Sequence, residues 1–398
     1  MRSEAVGRVR AFLLGLFSIT ALWSFALTPG AALAQDPPRH WDIKTAQSLL
    51  AYAERIGSHG LDPVDYSPAE LEQAIGSEDP ARIERQATET FARIASDLAI
   101  GAVKPGRRGR YFIASDSIDP ARMARLIDTA IALGTVAHVL DAVAPQNREY
   151  AGLRRALSQL APEEDEERRK IEVSLERWRW LPRNLGERYL LVNIPEYRLR
   201  LIENDREMAT HRVIVGKSQT PTPQFSARVT GVILNPPWNV PQSIIAESVG
   251  SLVRNRPQVA RARGYTWSFS GGGLRVTQQP GPQNALGQMK LDMPNPLSVY
   301  IHDTPSKELF ERDTRTFSHG CIRTQNPFDL AEALLQESGV SRSEIDAGVA
   351  ARRTKRMALA DPIPVYVVYM TAVVGAGDSI EFLPDPYRLD GAIAAQLE

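Results

Sequence analysis

At Gly186 the apolar period of this chain changes from 3.6 residues to 2, so one type of layer cannot serve both halves. Upstream the pattern is helical. Ala46 to Tyr52 has helical spacing and breaks at Gly57 and Gly60, and Ala81 to Ile100 lines up Ile83, Ala87, Phe91, Ile94 and Leu98 on one face. Ser67-Pro68, with Glu70 following, reads as a capped helix start in which the Ser67 side chain holds the first turn. Pro120 to Val143 fits one or two further helices. Leu153 to Trp180 is densely charged but keeps Ile171, Leu175 and Trp178 in helical register, and reads as a solvated helix leading into the next domain. Downstream, Tyr189–Ile194 and Tyr197–Ile202 flank Pro195-Glu196 as a hairpin. Met208–Val215, Val229–Leu234, Ser298–Ile301, Ile363–Met370 and Ser379–Leu383 continue as strands, with one helix at Pro327–Gly339. Residues 240–290, rich in Gly, Pro, Gln and Asn, interrupt the β pattern as an inserted, mobile subdomain that opens on a helix capped near Ser243. The expected fold class is α+β.

The first 34 residues read as a leader rather than as part of the fold. Arg2, Arg8 and Arg10 precede the apolar run Ala11–Leu27, then Pro29-Gly30 and the small-x-small signal Ala32-Leu33-Ala34. Cleavage there removes three Arg and one Glu, so 47 basic and 47 acidic residues become 44 and 46, a net charge of −2 over 364 residues. That near-neutrality excludes a non-specific nucleic-acid binder, which needs a strong cationic field. The expected product is an exported, soluble chain.

Export gives weight to the single cysteine, because a spare thiol in an oxidising compartment is a liability unless buried or used. One Cys also excludes an internal disulfide framework and a multi-cysteine zinc site. Cys321 sits in Ser318-His319-Gly320-Cys321-Ile322-Arg323, and His302 lies 19 positions before it at the end of an expected strand. A thiol becomes a strong nucleophile on losing its proton, which a neighbouring imidazole can accept. His302 can fold back onto Cys321 across the intervening loop, whereas His319 is only two residues away and constrained by that adjacency. Gly320 would let the backbone approach closely, and the Gly320 and Cys321 N–H groups would form part of an oxyanion hole. Arg323 shares the strand side of Cys321 and offers a planar fork for a carboxylate. Three ligands from His302, His319 and Cys321 lack a fourth in register, so no metal and no cofactor is expected. His40, His59, His138 and His211 read as structural or surface residues.

His302, a gap of 15 residues, then Ser318-His319-Gly320-Cys321-Ile322-Arg323 resembles the signature of the L,D-transpeptidases, cysteine enzymes that cross-link peptidoglycan. Trp178-Arg179-Trp180-Leu181-Pro182, Val192-Asn193-Ile194-Pro195, Asn235-Pro236-Pro237-Trp238, Asn284-Ala285-Leu286-Gly287 and Asp385-Pro386-Tyr387 resemble the large periplasmic branch of that family, which has a scaffold domain and a capping subdomain. The resemblance implies a signal peptide at 1–34 and a helical scaffold domain at 35–180. It further implies a mainly β catalytic domain at 187–375, with residues 240–290 as its capping insertion, and a C-terminal tail at 376–398. It implies Cys321 as acyl-forming nucleophile and His302 as base, with the Asp303 carbonyl orienting the imidazole. Tyr300, Ser318, His319, Gly320 and Arg323 would line the donor site, and Trp238 would stand near its mouth. The implied partners are peptidoglycan stem peptides, with water or an envelope protein's amine as alternative acyl acceptors, and carbapenems as the implied inhibitor class. The branch's usual peptidoglycan-binding module has no room here, since only the ten residues Ala161–Lys170 separate Leu160 from Ile171.

Overall fold

The computed structural model describes residues 40–398 apart from Ser115, Pro162 and Gly272, so the expected leader lies outside the described residues. No helix among the described residues is long and apolar enough to cross a membrane.

The helical half comprises α1 (Ile43–Glu54), α2 (Pro68–Gly76), α3 (Pro80–Ile100), α4 (Pro120–Leu133), α5 (Val136–Val143), α6 (Arg148–Leu157) and α7 (Asp165–Arg179). Asp42, Asp79, Asp119 and Asn147 accept backbone N–H groups at the first turns of α1, α3, α4 and α6. Ser67 does begin α2, but its backbone is left-handed (φ 48°) and its side chain makes no capping bond, contrary to the expected capping box. The expected apolar face of α3 is buried throughout. The charged stretch 153–180 is two helices, joined by residues 158–164, and it departs from the solvated reading. Only the start of α7 is exposed; Ile171 and the run Val173–Trp180 are buried, Glu176 and Arg179 fully. Those charges are matched inside the protein. Glu176 accepts bonds from Val103 N at 2.8 Å, Trp180 Nε1 at 2.7 Å and Arg179 Nη2 at 2.7 Å, while Arg179 Nη1 donates to His59 O at 2.6 Å. A fully partnered pair escapes the cost that makes isolated buried charge prohibitive.

A loop after α3 supplies the short strand β1 (Tyr111–Phe112), which leaves the helical layer and pairs in parallel with the strand that begins at Gln224. The β half contains β2 (Arg188–Asn193), β3 (Arg198–Glu203), β4 (Arg206–Gly216), β5 (Gln224–Leu234), the inserted β6 (Trp238–Asn239), β7 (Tyr265–Ser270) and β8 (Gly273–Gln278), then β9 (Met289–Asp292), β10 (Ile301–His302), β11 (Thr316–Ser318), β12 (Ile322–Thr324) and β13 (Lys355–Val368). The main sheet runs β5-β13-β2-β3-β4-β12-β10-β9, and β9 pairs again with β5, so the ladder returns on itself and encloses a core. Leu190, Val192, Val365 and Val367 point into that core, while Tyr189, Leu191, Tyr366 and Val368 pack into the scaffold core on the other face. This two-sided burial explains why both faces of β2 are apolar over Tyr189–Val192. The hairpin β2–β3 forms as the sequence indicates. The strand expected over Ser298–Ile301 is confined to β10, because Ser298 is left-handed (φ 54°).

The insertion folds as a unit with its own small core. β6, β8 and β7 form a separate three-stranded sheet, and Val240, Ile245, Val249, Val253, Ala260, Tyr265, Leu274 and Val276 pack together beneath it. Its first helical segment starts at Gln242 after Pro241, with no Ser243 cap, and passes into a π-helical turn at Ile245–Val249. Met289 onward belongs to the main sheet rather than to the insertion. The expected tail is not a tail. After the pair β14 (Ala372–Val374) and β15 (Ile380–Phe382), Asp390–Ala394 is helical and packs on α7, where Arg177 Nη1 meets Asp390 Oδ1 at 2.6 Å.

Candidate active site

Parallel pairing of β10 with β12 puts His302 directly opposite Arg323. Side chains two residues apart on a strand share a face, so Cys321, His302 and Arg323 face one side of the sheet. They line one cavity of about 430 Å³ together with Tyr300, Ser318, His319, Gly320 and Trp238. Of the sequence-derived site residues only Asp303 is outside the lining, and it acts from behind. His302 Nδ1 forms a short hydrogen bond with the Asp303 carbonyl, and the Asp303 carboxylate pairs with Lys307 and accepts Gln288 N at 2.8 Å. A carbonyl can only accept, so Nδ1 carries the ring proton and Nε2 is the basic atom. Gly287 (φ +62°) seats its loop on Asp303; a Cβ there would lie 2.3 Å from Asp303 Oδ2.

The His302 imidazole is 4% exposed. Burial pushes its pKa down to about 3, aided by the charges of Arg323 and Lys290 and opposed by the carbonyls of Asp303 and Leu286. Burial also raises the Cys321 thiol above its ordinary value, outweighing a backbone hydrogen bond from Tyr300 and the nearby Arg323 and Lys290 charges. The resting pair is therefore neutral thiol and neutral imidazole. Among the described residues no hydrogen bond joins Cys321 Sγ to the ring.

The turn carrying Cys321 is held by a ladder of hydrogen bonds. Ser318 Oγ donates to Cys321 O at 2.5 Å and accepts Gly320 N at 3.0 Å; Thr222 Oγ1 donates to Gly320 O at 2.9 Å. Tyr387 OH donates to Gly216 O at 2.7 Å and accepts Thr222 N at 3.2 Å, and Tyr387 N donates to Tyr369 OH at 2.8 Å. The C-terminal segment thus braces the cysteine turn. Two expectations change here. The Gly320 N–H, expected as an oxyanion donor, is committed to Ser318 Oγ, which leaves only the Cys321 N–H of that pair without such a bond. Gly320 is needed for its conformation (φ +109°) and not for close approach, since a Cβ would have its nearest neighbours at 3.8 Å.

His319 leaves the sheet and reaches the capping insertion, where Nε2 lies 3.1 Å from Glu247 Oε2 on the π-helical turn. Pro241, Ser243 and Ile244 of the same insertion cover the cavity beside Trp238. Two contributors escaped the sequence reading. Lys290 on β9 is paired with His302 in register and stands 4.6 Å from the Tyr300 ring centroid, its ammonium lowered by burial. Arg110 comes from the helical half, and no local pattern marks a scaffold loop that ends in another domain's cavity. Elsewhere His59 is buried among Tyr52, Tyr150 and Asp141, His211 meets Gln325 O at 3.1 Å, and His40 and His138 are exposed. Among the described residues there is no cluster of His, Cys, Asp or Glu that could hold a metal ion.

A family profile described as the L,D-transpeptidase catalytic domain matches residues 187–363, and one described as the Scaffold domain matches residues 39–157. A curated Haemophilus influenzae protein, provisionally named as an L,D-transpeptidase, is 29% identical over 273 residues, 64% of this chain and 55% of that protein. The chain therefore spans about half the length of the curated relative it matches. Among solved structures, an L,D-transpeptidase from Mycobacterium smegmatis is 15% identical over 46% of this chain and 58% of its own, with a TM-score of 0.26. L,D-transpeptidase 3 from Mycobacterium tuberculosis is 14% identical over 46% of this chain and 61% of its own, with a TM-score of 0.24. The two profiles cover consecutive stretches on either side of α7, so the chain joins a region similar to the L,D-transpeptidase catalytic domain to one similar to the Scaffold domain.

Proposed function

We propose that this protein is a cysteine acyltransferase of the periplasm that forms cross-links between peptidoglycan stem peptides. The observation that carries the reading is the convergence of Cys321, His302 and Arg323 on one cavity, with the imidazole buried, neutral and fixed through Nδ1. His302 Nε2 takes the thiol proton as Cys321 Sγ attacks the carbonyl before the terminal D-Ala of a tetrapeptide stem. The Cys321 N–H stabilises the oxyanion, and the protonated ring returns its proton to the departing D-Ala amine, leaving a thioester. An amine of a second stem then attacks, His302 accepts its proton, and the thiol is restored. The imidazolium is short-lived because burial disfavours it, and the Arg323 and Lys290 charges add to that. The capping insertion limits water at the thioester stage, which favours the amine acceptor over hydrolysis.

The test is a digest of tetrapeptide-bearing muropeptides incubated with the purified protein. Cross-linked dimers with free D-Ala support transfer to a second stem. Tripeptides alone assign the protein as an L,D-carboxypeptidase, an adduct on an added protein amine assigns it to protein attachment, and no change removes the reading.

A further inference from the structure

Arg110 is the scaffold's contribution to the cavity that holds Cys321. Its position is built, not accidental. Its carbonyl accepts Gln224 N at 3.0 Å, and the next two residues pair with β5 in register Tyr111↔Gln224 and Phe112↔Phe225. Tyr111 OH donates to Trp180 O at 2.7 Å, and the Arg108 guanidinium lies 5.0 Å from the Trp180 ring centroid while Arg108 Nε donates to Val103 O at 3.0 Å. The loop is thus clamped on both sides of Arg110. The guanidinium itself is exposed and makes no hydrogen bond or ion pair among the described residues. It borders the cavity with Pro221 and Pro223, residues that offer no side-chain polar group. No lining residue is acidic, whereas two lining residues are arginines, and Arg323 is the one drawn into Cys321's surroundings. A cavity with two separate guanidiniums and no carboxylate of its own is suited to a ligand bearing more than one anionic group.

Resting on the transferase reading above, we propose that Arg110 binds a carboxylate of the donor stem upstream of the scissile bond, so that the scaffold domain forms part of the donor-binding site. That carboxylate stays on the acyl group after D-Ala leaves, so Arg110 holds the donor through both half-reactions. Arg110 touches neither the attacking sulfur nor the leaving amine, and its loss affects binding rather than the chemical step.

The experiment measures D-Ala release by wild type, Arg110→Ala and Arg110→Lys on a tetrapeptide donor with free carboxylates and on the same donor with its upstream carboxylates amidated. Iodoacetamide alkylation of Cys321 is followed in parallel. Loss of one charge-assisted contact at an exposed guanidinium should raise KM about tenfold in Arg110→Ala with kcat within about twofold. Arg110→Lys should recover part of that loss. The amidated donor should bind wild type about as poorly as Arg110→Ala binds the free one, and the mutation should then add nothing further. Alkylation should run at the wild-type rate in both variants. An unchanged KM in Arg110→Ala overturns the proposal, as does an equal loss on both donors or a fall in alkylation rate, either of which marks a structural effect. Absence of D-Ala release by wild type itself overturns the transferase reading and this proposal together.

Discussion

Burial sets the protonation of both Cys321 and His302. A pre-formed thiolate–imidazolium pair requires a depressed thiol and an elevated imidazole, and burial here drives both the other way. Thiol reactivity should therefore climb with pH through the neutral and alkaline range, by about tenfold per unit while the thiolate is the minor form. Iodoacetamide alkylation followed by mass across that range is the check; a flat rate from acid to neutral pH would mean an ion pair at rest. Gly320 offers a second residue-level test. An alanine there meets no crowding but must adopt φ +109°, at a cost of about 1–3 kcal/mol. Gly320→Ala should keep the fold yet lower kcat/KM for D-Ala release by at least about tenfold, because strain relaxes by moving the Cys321 turn. Denaturant melts beside kinetics separate the two effects. That Cys321 and His302 share one cavity was legible in the sequence, since one cysteine and one well-spaced histidine are rare types. The use of Gly320 N–H by Ser318 was not, because a committed donor and a free one have the same sequence.

Among the elements, α7 gives the clearest departure from the sequence reading. Its charge density suggests solvation, yet its second half is buried between the scaffold core and the C-terminal helix, with Glu176 wired to Arg179, Trp180 and the chain after α3. Composition reports charge but not partners, and the decisive ones, Ala102 N and Val103 N for Glu176 and His59 O for Arg179, come from distant parts of the chain. Glu176→Leu leaves Arg179 buried without its counter-charge and should destabilise the protein by about 3–5 kcal/mol. Urea unfolding measures this, and a loss under about 1 kcal/mol would show that water reaches the pair. The packing of the C-terminal segment is not legible in the sequence either, as nothing local in Asp385-Pro386-Tyr387 reveals that Tyr387 braces Thr222 and Gly216. Tyr387→Phe keeps the stacking on Tyr369 but removes those two bonds. It should cost about 1 kcal/mol in stability and several-fold in kcat/KM. A stability loss with unchanged kcat/KM would confine Tyr387 to a structural part.

Across the whole molecule, the scaffold packs on the outer face of β2 and β13, and its β1 loop crosses to the sheet beside the cavity. The capping insertion closes the other side through Trp238, Ile244 and the Glu247–His319 contact. The division into helical and β halves was visible in the change of period, whereas their shared core was not, since a two-sided strand and a one-sided one differ only in which neighbours they meet. The insertion's composition suggested a mobile cover, but β8 is the central strand of its sheet and buried Gln278 ties it to Arg263 and Gln283. Removing residues 270–281 would unfold this unit, so shortening the β7–β8 turn is the informative change. It should leave Cys321 alkylation intact and raise the ratio of tripeptide to dimer if the insertion excludes water. Transfer through a thioester requires that a donor stem be carried on Cys321. Acid quench of the protein with a tetrapeptide donor during turnover, followed by peptide mass spectrometry, reads it directly. The account predicts an adduct of the donor minus D-Ala on the Cys321 peptide and none in Cys321→Ala, which should also release D-Ala at under about one per cent of the wild-type rate. D-Ala release that continues in Cys321→Ala, or an adduct on any other residue, would contradict it.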